Sequence, residues 1–141
     1  MSVVDFDVRA GQLVFETEPS TEDLVIVGGL DLRTRVAFDA VDGHIAVVLD
    51  DLDPDAGTRR ISNGWLKVSH RDGHEQPQPV APGEFAELTV SMWPTHHRVL
   101  GGHRLRLTVS SNDYPLIDRT PYTGRARLDL GATVLSADVL R

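Results

Sequence analysis

The sequence has no cysteine. That excludes a disulfide framework, thiolate metal sites and cysteine nucleophiles. Aromatic residues are few, at 6%, so any stacking platform for a ligand must come from a handful of positions. Basic residues are outnumbered, 14 against 21 acidic, for a net charge of -7. A protein that neutralises nucleic-acid phosphates shows the opposite sign or a dense basic stripe, so no nucleic-acid partner is expected. No stretch approaches the roughly 20 apolar residues that cross a bilayer, so no membrane is expected either. The start, Met1 to Asp7, lacks a basic segment followed by an apolar run. No secretory signal is therefore expected, and a soluble cytoplasmic protein is the default. Helical stripes are also missing from every window of about 11 residues.

What remains is a composition suited to a folded core: 40% apolar and 25% charged residues in 141. The length predicts one domain, residues 1–141. Its dominant pattern is alternation with period two. Leu30, Leu32, Thr34, Val36 and Phe38 point one way, and Asp31, Arg33, Arg35 and Ala37 the other. Ile45, Val47 and Leu49 alternate with Ala46 and Val48, which predicts a central strand covered on both faces. Further strands are predicted over 86–92, 104–109 and 125–130, with shorter ones at 12–16, 24–27, 65–68 and 134–140. Gly28-Gly29, Asp42-Gly43, Asp53-Pro54-Asp55, Asp72-Gly73, Pro82-Gly83 and Gly101-Gly102 read as turns between them. Residues 71–83 read as a long surface loop. Eight or nine short strands spaced by turns imply an all-β fold, a β-sandwich of jelly-roll type.

Reactive constellations are sparse. No serine has glycines two residues away on both sides, so the nucleophile elbow is missing. Ser69 and His70 are neighbours on extended chain and diverge, which argues against a triad built on them. His70 and His74, and His96, His97 and His103, match no standard ligand spacing; they read as exposed loop histidines, and no metal or other cofactor is expected. Asp50, Asp51, Asp53 and Asp55 resemble a calcium loop only loosely, because Pro54 and Ala56 interrupt the run and no glutamate closes it. Solvated charges on a hairpin are the expectation. Trp65, Trp93, Tyr114 and Tyr122 could present faces to a sugar. Trp65 opens an apolar strand and is expected in the core. Trp93, followed by Pro94, is either buried or an interface anchor.

Three stretches carry a resemblance. One runs from Asp53-Pro54-Asp55 to Ser62-Asn63-Gly64-Trp65-Leu66-Lys67-Val68-Ser69-His70-Arg71. The second is Pro82-Gly83-Glu84 and the strand ending in Met92-Trp93-Pro94-Thr95. The third runs from Gly101-Gly102-His103 to Ser110-Ser111, then Asn112-Asp113-Tyr114-Pro115 and Asp118-Arg119. With Glu18-Pro19 and Asp23-Leu24, they resemble the C-terminal, non-catalytic domain of X-prolyl dipeptidyl-peptidases and the related CocE/NonD (cocaine-esterase-like) hydrolases. The resemblance implies a galactose-binding-domain-like jelly roll that follows an α/β-hydrolase domain and packs on it. The catalytic serine, aspartate and histidine of the family belong to that other domain, so no catalytic residue carries over. Thr133 to Arg141 departs from the family by lacking its usual histidine and proline. The expected function is an accessory or assembly domain of such a serine hydrolase, with no turnover of its own. Its partner would be the α/β-hydrolase domain or a separate chain carrying it. Contacts are expected around Trp65, Arg71, Trp93, Tyr114, Pro115, Leu116, Ile117 and Arg119, and an isolated copy is expected to form a homo-oligomer through that patch or a sheet edge. The alternative is a stand-alone carbohydrate-binding module.

Overall fold

Alternating apolar residues form strands because the pleat sends successive side chains to opposite faces. The computed structural model describes residues 3–7, 11–38, 44–67, 82–111 and 125–140. These form β1 (Val3–Asp7), β2 (Gln12–Glu16), β3 (Leu24–Phe38), β4 (His44–Asp53), β5 (Gly57–Lys67), β6 (Ala86–Val99), β7 (Arg104–Ser110), β8 (Arg125–Asp129) and β9 (Val134–Leu140). Among the described residues the only helical piece is a 3-10 turn, Leu130–Ala132.

Pairing is nested and antiparallel: β1 with β8, β2 with β7, β3 with β6, and β4 with β5. Successive pairs fall alternately into two sheets. The first has the order β1-β8-β3-β6, the second β2-β7-β4-β5. This is a long hairpin rolled on itself, the jelly roll that the alternation predicted. The strand β9 adds to it by running along β3 from Val25 to Arg33.

The core lies between the sheets. Leu30, Leu32, Val36 and Phe38 of β3, Leu88, Val90 and Met92 of β6, and Ala126 and Leu128 of β8 are buried with Ile45, Val47 and Leu49 of β4 and Val109 of β7. Each large aliphatic side chain removed from water contributes about 1.5–3 kcal/mol. The strand β4 is central in its sheet, between β7 and β5, as its two-sided apolar pattern predicted.

Several boundaries differ from the sequence pattern. The strand β3 continues through Gly28-Gly29, which was expected to break it. Gly28 takes φ +80°, and both β6 and β9 shift register between residues 27 and 30. The glycines make a bulge, because a pair without Cβ atoms absorbs the irregularity without ending the ladder. Opposite it, β6 sets two residues, Trp93 and Pro94, against the single Gly29, one residue more than the ladder needs. Proline has no N–H to donate, and a bulge is where a strand tolerates it. The insertion reverses the phase of β6: Ala86, Leu88, Val90 and Met92 are buried before it, Val99 after it. Asp129, which alternates with Ala126 and Leu128, is also buried; it accepts from the Gly131 N–H at 3.1 Å and pairs with Arg35 at 3.2 Å. Leu130 belongs to the 3-10 turn instead of the strand. The alternation also missed β1.

Candidate functional site

The strands β5 and β6 are edge strands of different sheets, and their backbones approach along one side of the sandwich. Gly64 makes the approach. A Cβ there would collide with the Ser91 carbonyl oxygen and touch the Met92 Cα. One turn of the pleat away, the Ser62 hydroxyl donates to the Trp93 carbonyl. With the backbones this close, the indoles cannot fit between the sheets. Trp93 is 69% exposed and Trp65 49% exposed. Together with Gly64, Leu66, Lys67, Ser91, Met92 and Pro94 they line an open groove of about 380 Å³. The core expectation for Trp65 is thus corrected: the alternation that buries Ile45 and Val47 puts Ala46 on the outer face, and Trp65 pairs with Ala46.

The other end of this seam is polar. Asp51 continues the inward phase of Ile45, Val47 and Leu49, so its carboxylate enters the space between the sheets. His97 Nε2 lies 2.8 Å from one Asp51 oxygen, and His103 Nδ1 lies 2.8 Å from the other. A carboxylate only accepts, so both ring nitrogens donate. His103 Nε2 also faces Asp53 at 3.6 Å. Neither histidine is an exposed loop residue, and Asp50 and Asp51 are buried, which corrects the expectation of solvated charges. His96, the neighbour on the opposite face, is exposed. Asp53 accepts from the Asp55 N–H at 2.9 Å in an Asx turn. That bond, helped by the Ala56 N–H and by His103 and Arg59, holds the Asp53 carboxyl below its ordinary value against a smaller desolvation effect. Among the described residues no group of three or more histidines and acids is arranged to hold a metal ion.

The structure brings Trp65 and Trp93 of the expected contact set together. Arg71, Tyr114, Pro115, Leu116, Ile117 and Arg119 lie outside the described residues, as do Tyr122, Ser69, His70 and His74. What the sequence reading missed is the Asp51–His97–His103 network. The phase of β4 was a sufficient signal for Asp51; His97 was hidden by the bulge in β6, and His103 lies past that strand in the turn before β7, where no alternation applies.

A two-sheet jelly roll with an exposed indole pair on one seam defines a class, the antiparallel β-sandwich domain. Comparison with known proteins assigns the family. Residues 3–138 match the X-Pro dipeptidyl-peptidase C-terminal non-catalytic domain, and the chain belongs to that family. It is 30% identical over 116 residues to a cocaine esterase from Rhodococcus sp. (strain MB1 Bresler), which covers 82% of this chain and 20% of the esterase. It is 24% identical over 157 residues to an Xaa-Pro dipeptidyl-peptidase from Lactobacillus delbrueckii subsp. lactis, covering 87% of this chain and 20% of that one. The chain thus spans about a fifth of the length of these relatives. A CocE/NonD family hydrolase from Staphylococcus aureus superposes with a TM-score of 0.85 at 16% identity, over 99% of this chain and 33% of that chain. That likeness shows the fold. None of the helices described is long and apolar enough to cross a membrane.

Proposed function

We propose that this chain is one accessory domain that packs on the α/β-hydrolase domain of a CocE/NonD-type or X-prolyl peptidase-type serine hydrolase, with no turnover of its own. The Trp65–Trp93 groove is the contact surface in this reading. The supporting observation is the exposure of both tryptophans of the sequence in a chain that matches only a fifth of its relatives. Large aromatics in a groove are the residue type that anchors interfaces, because they bury much apolar area with little side-chain entropy lost. Two of the serine hydroxyls are tied into the fold. The Ser62 hydroxyl donates to the Trp93 carbonyl and that of Ser20 to the Glu22 carbonyl, so both are occupied in structure.

The test mixes the purified chain with the hydrolase portion of the Rhodococcus cocaine esterase, or of a closer full-length relative, lacking its own C-terminal domain. Sedimentation velocity reads the complex, and ester and X-Pro anilide substrates read turnover. The expected result is a one-to-one complex that Trp93→Ala weakens about thirtyfold, as for an anchor worth about 2 kcal/mol. The chain alone is expected to give no turnover above background. A chain that hydrolyses either substrate alone, or that stays separate from both partners, contradicts the proposal.

A further inference from the structure

We propose that the outer face of the second sheet is a binding site for neutral polyols, the chemistry of sugar hydroxyls. Register and alternation assemble it from four strands. The first row across the sheet is Glu16, Arg106, Asp50 and Arg60; the second is Val14, Thr108, Val48 and Asn63; the third is Gln12, Ser110, Ala46 and Trp65. A groove of about 370 Å³ lies over these rows, a volume at the lower end of small-molecule sites.

Asp50 is the feature that points to a ligand. Its side chain is only 10% exposed, although it sits on an outward sheet face. Arg60 Nε stands 3.6 Å from one oxygen and Arg106 Nη2 3.9 Å from the other, both beyond hydrogen-bond distance. The carboxylate is paired by charge and receives a hydrogen bond from neither guanidinium. A hydroxyl entering the groove can donate to Asp50 and accept from Arg60 or Arg106 in the same position, which a group that only donates or only accepts cannot do. The formal charges of the first row cancel, two acids against two guanidiniums. A cation drawn to Asp50 meets Arg60 and Arg106, and an anion drawn to the arginines meets Asp50 and Glu16. Neutral ligands carry neither penalty. Val14, 46% exposed, and Val48 provide apolar surface for the C–H face of a ring, and Gln12, Thr108 and Ser110 add polar contacts at the rim.

This site is separate from Trp93, so its failure and that of the docking reading are distinguishable. Trp65 borders both surfaces and is left out of the test. The experiment titrates the 15N-labelled chain with D-galactose, D-glucose and cellotetraose and follows the amides of Gln12, Val14, Val48 and Thr108. At least one sugar is expected to give saturable shifts centred on these residues. Asp50→Asn and Arg60→Gln should each weaken that binding about tenfold, while Trp93→Ala leaves it unchanged. Arg60 is half exposed, so its replacement reads the site even where Asp50→Asn unfolds the chain. Silence of this face up to about 50 mM of all three sugars, a concentration well above a millimolar Kd, overturns the proposal. So does binding that the folded variants leave intact.

Discussion

Asp51 holds two histidines with one carboxylate, and its neighbour in sequence, Asp50, faces the opposite side of the sheet. Asp51 and Asp53, the two acids that His103 faces, predict different behaviour. Asp51→Asn replaces one acceptor oxygen by an NH2 group facing an imidazole N–H, in a site where Asp51 is 4% exposed. One charge-assisted bond is lost and a buried donor is left unpaired. The expected destabilisation is about 2–3 kcal/mol, read from urea unfolding midpoints at neutral pH. A change below about 0.5 kcal/mol, the ordinary range for surface substitutions, contradicts the inward placement. Asp53 gives a pH signature instead. Its carboxyl titrates below the ordinary value because of the Asp55 N–H. A depressed folded-state pKa stabilises the fold at pH above the unfolded value, about 4. The contribution is lost as pH falls through the lowered value. The stability difference between wild type and Asp53→Ala should be constant above about pH 5 and shrink at lower pH. A difference that grows on acidification contradicts the Asx-turn geometry.

Among the elements, the close pair β5 and β6 shapes the candidate groove, and Gly64 permits the approach. Gly64→Ala places a methyl against the Ser91 backbone, where no side-chain rotation relieves it. The expected cost is about 1–3 kcal/mol by thermal unfolding, with the β5 and β6 amides shifted most. A neutral substitution would mean that the strands stand further apart. The elements were readable where one face is apolar. The alternation located β2 and β9 to the residue, most of β3, β7 and β8, and half of β4 and β6, because burial of Leu30, Leu32, Val36 and Phe38 or of Leu88, Val90 and Met92 imposes a strict period of two. It failed where the ladder is irregular. The Gly28-Gly29 bulge looks like a turn in the sequence, since the same residues serve both purposes. The one extra residue at Trp93-Pro94 reverses the phase of β6, so the inward placement of His97 could not be read by counting from Ala86. The first turn of β5, Gly57 to Arg60, is exposed throughout and carries no apolar signal at all. In the candidate site, the family motifs pointed to Trp65 and Trp93, while their exposure depends on Gly64 and the bulge, which are long-range features.

At the scale of the whole molecule, the core is closed between a five-stranded and a four-stranded sheet, and both indoles remain exposed. The exposed aromatic surface is what the proposed docking reading rests on. The match spans about a fifth of the relatives' length, and the family is the X-Pro dipeptidyl-peptidase C-terminal non-catalytic domain. The most direct measurement is the tryptophan emission of the chain titrated with the hydrolase portion of a relative lacking its own C-terminal domain. Trp65 and Trp93 are the two tryptophans of the sequence, so a tryptophan-free hydrolase background, or selective labelling of this chain with fluorotryptophan, reports on the groove alone. The free chain should show solvent-exposed, readily quenched indoles that become shielded at a one-to-one ratio. Indoles that are shielded in the free monomer, or that remain equally quenchable at saturation of a demonstrated complex, would contradict the assignment of this groove as the contact surface.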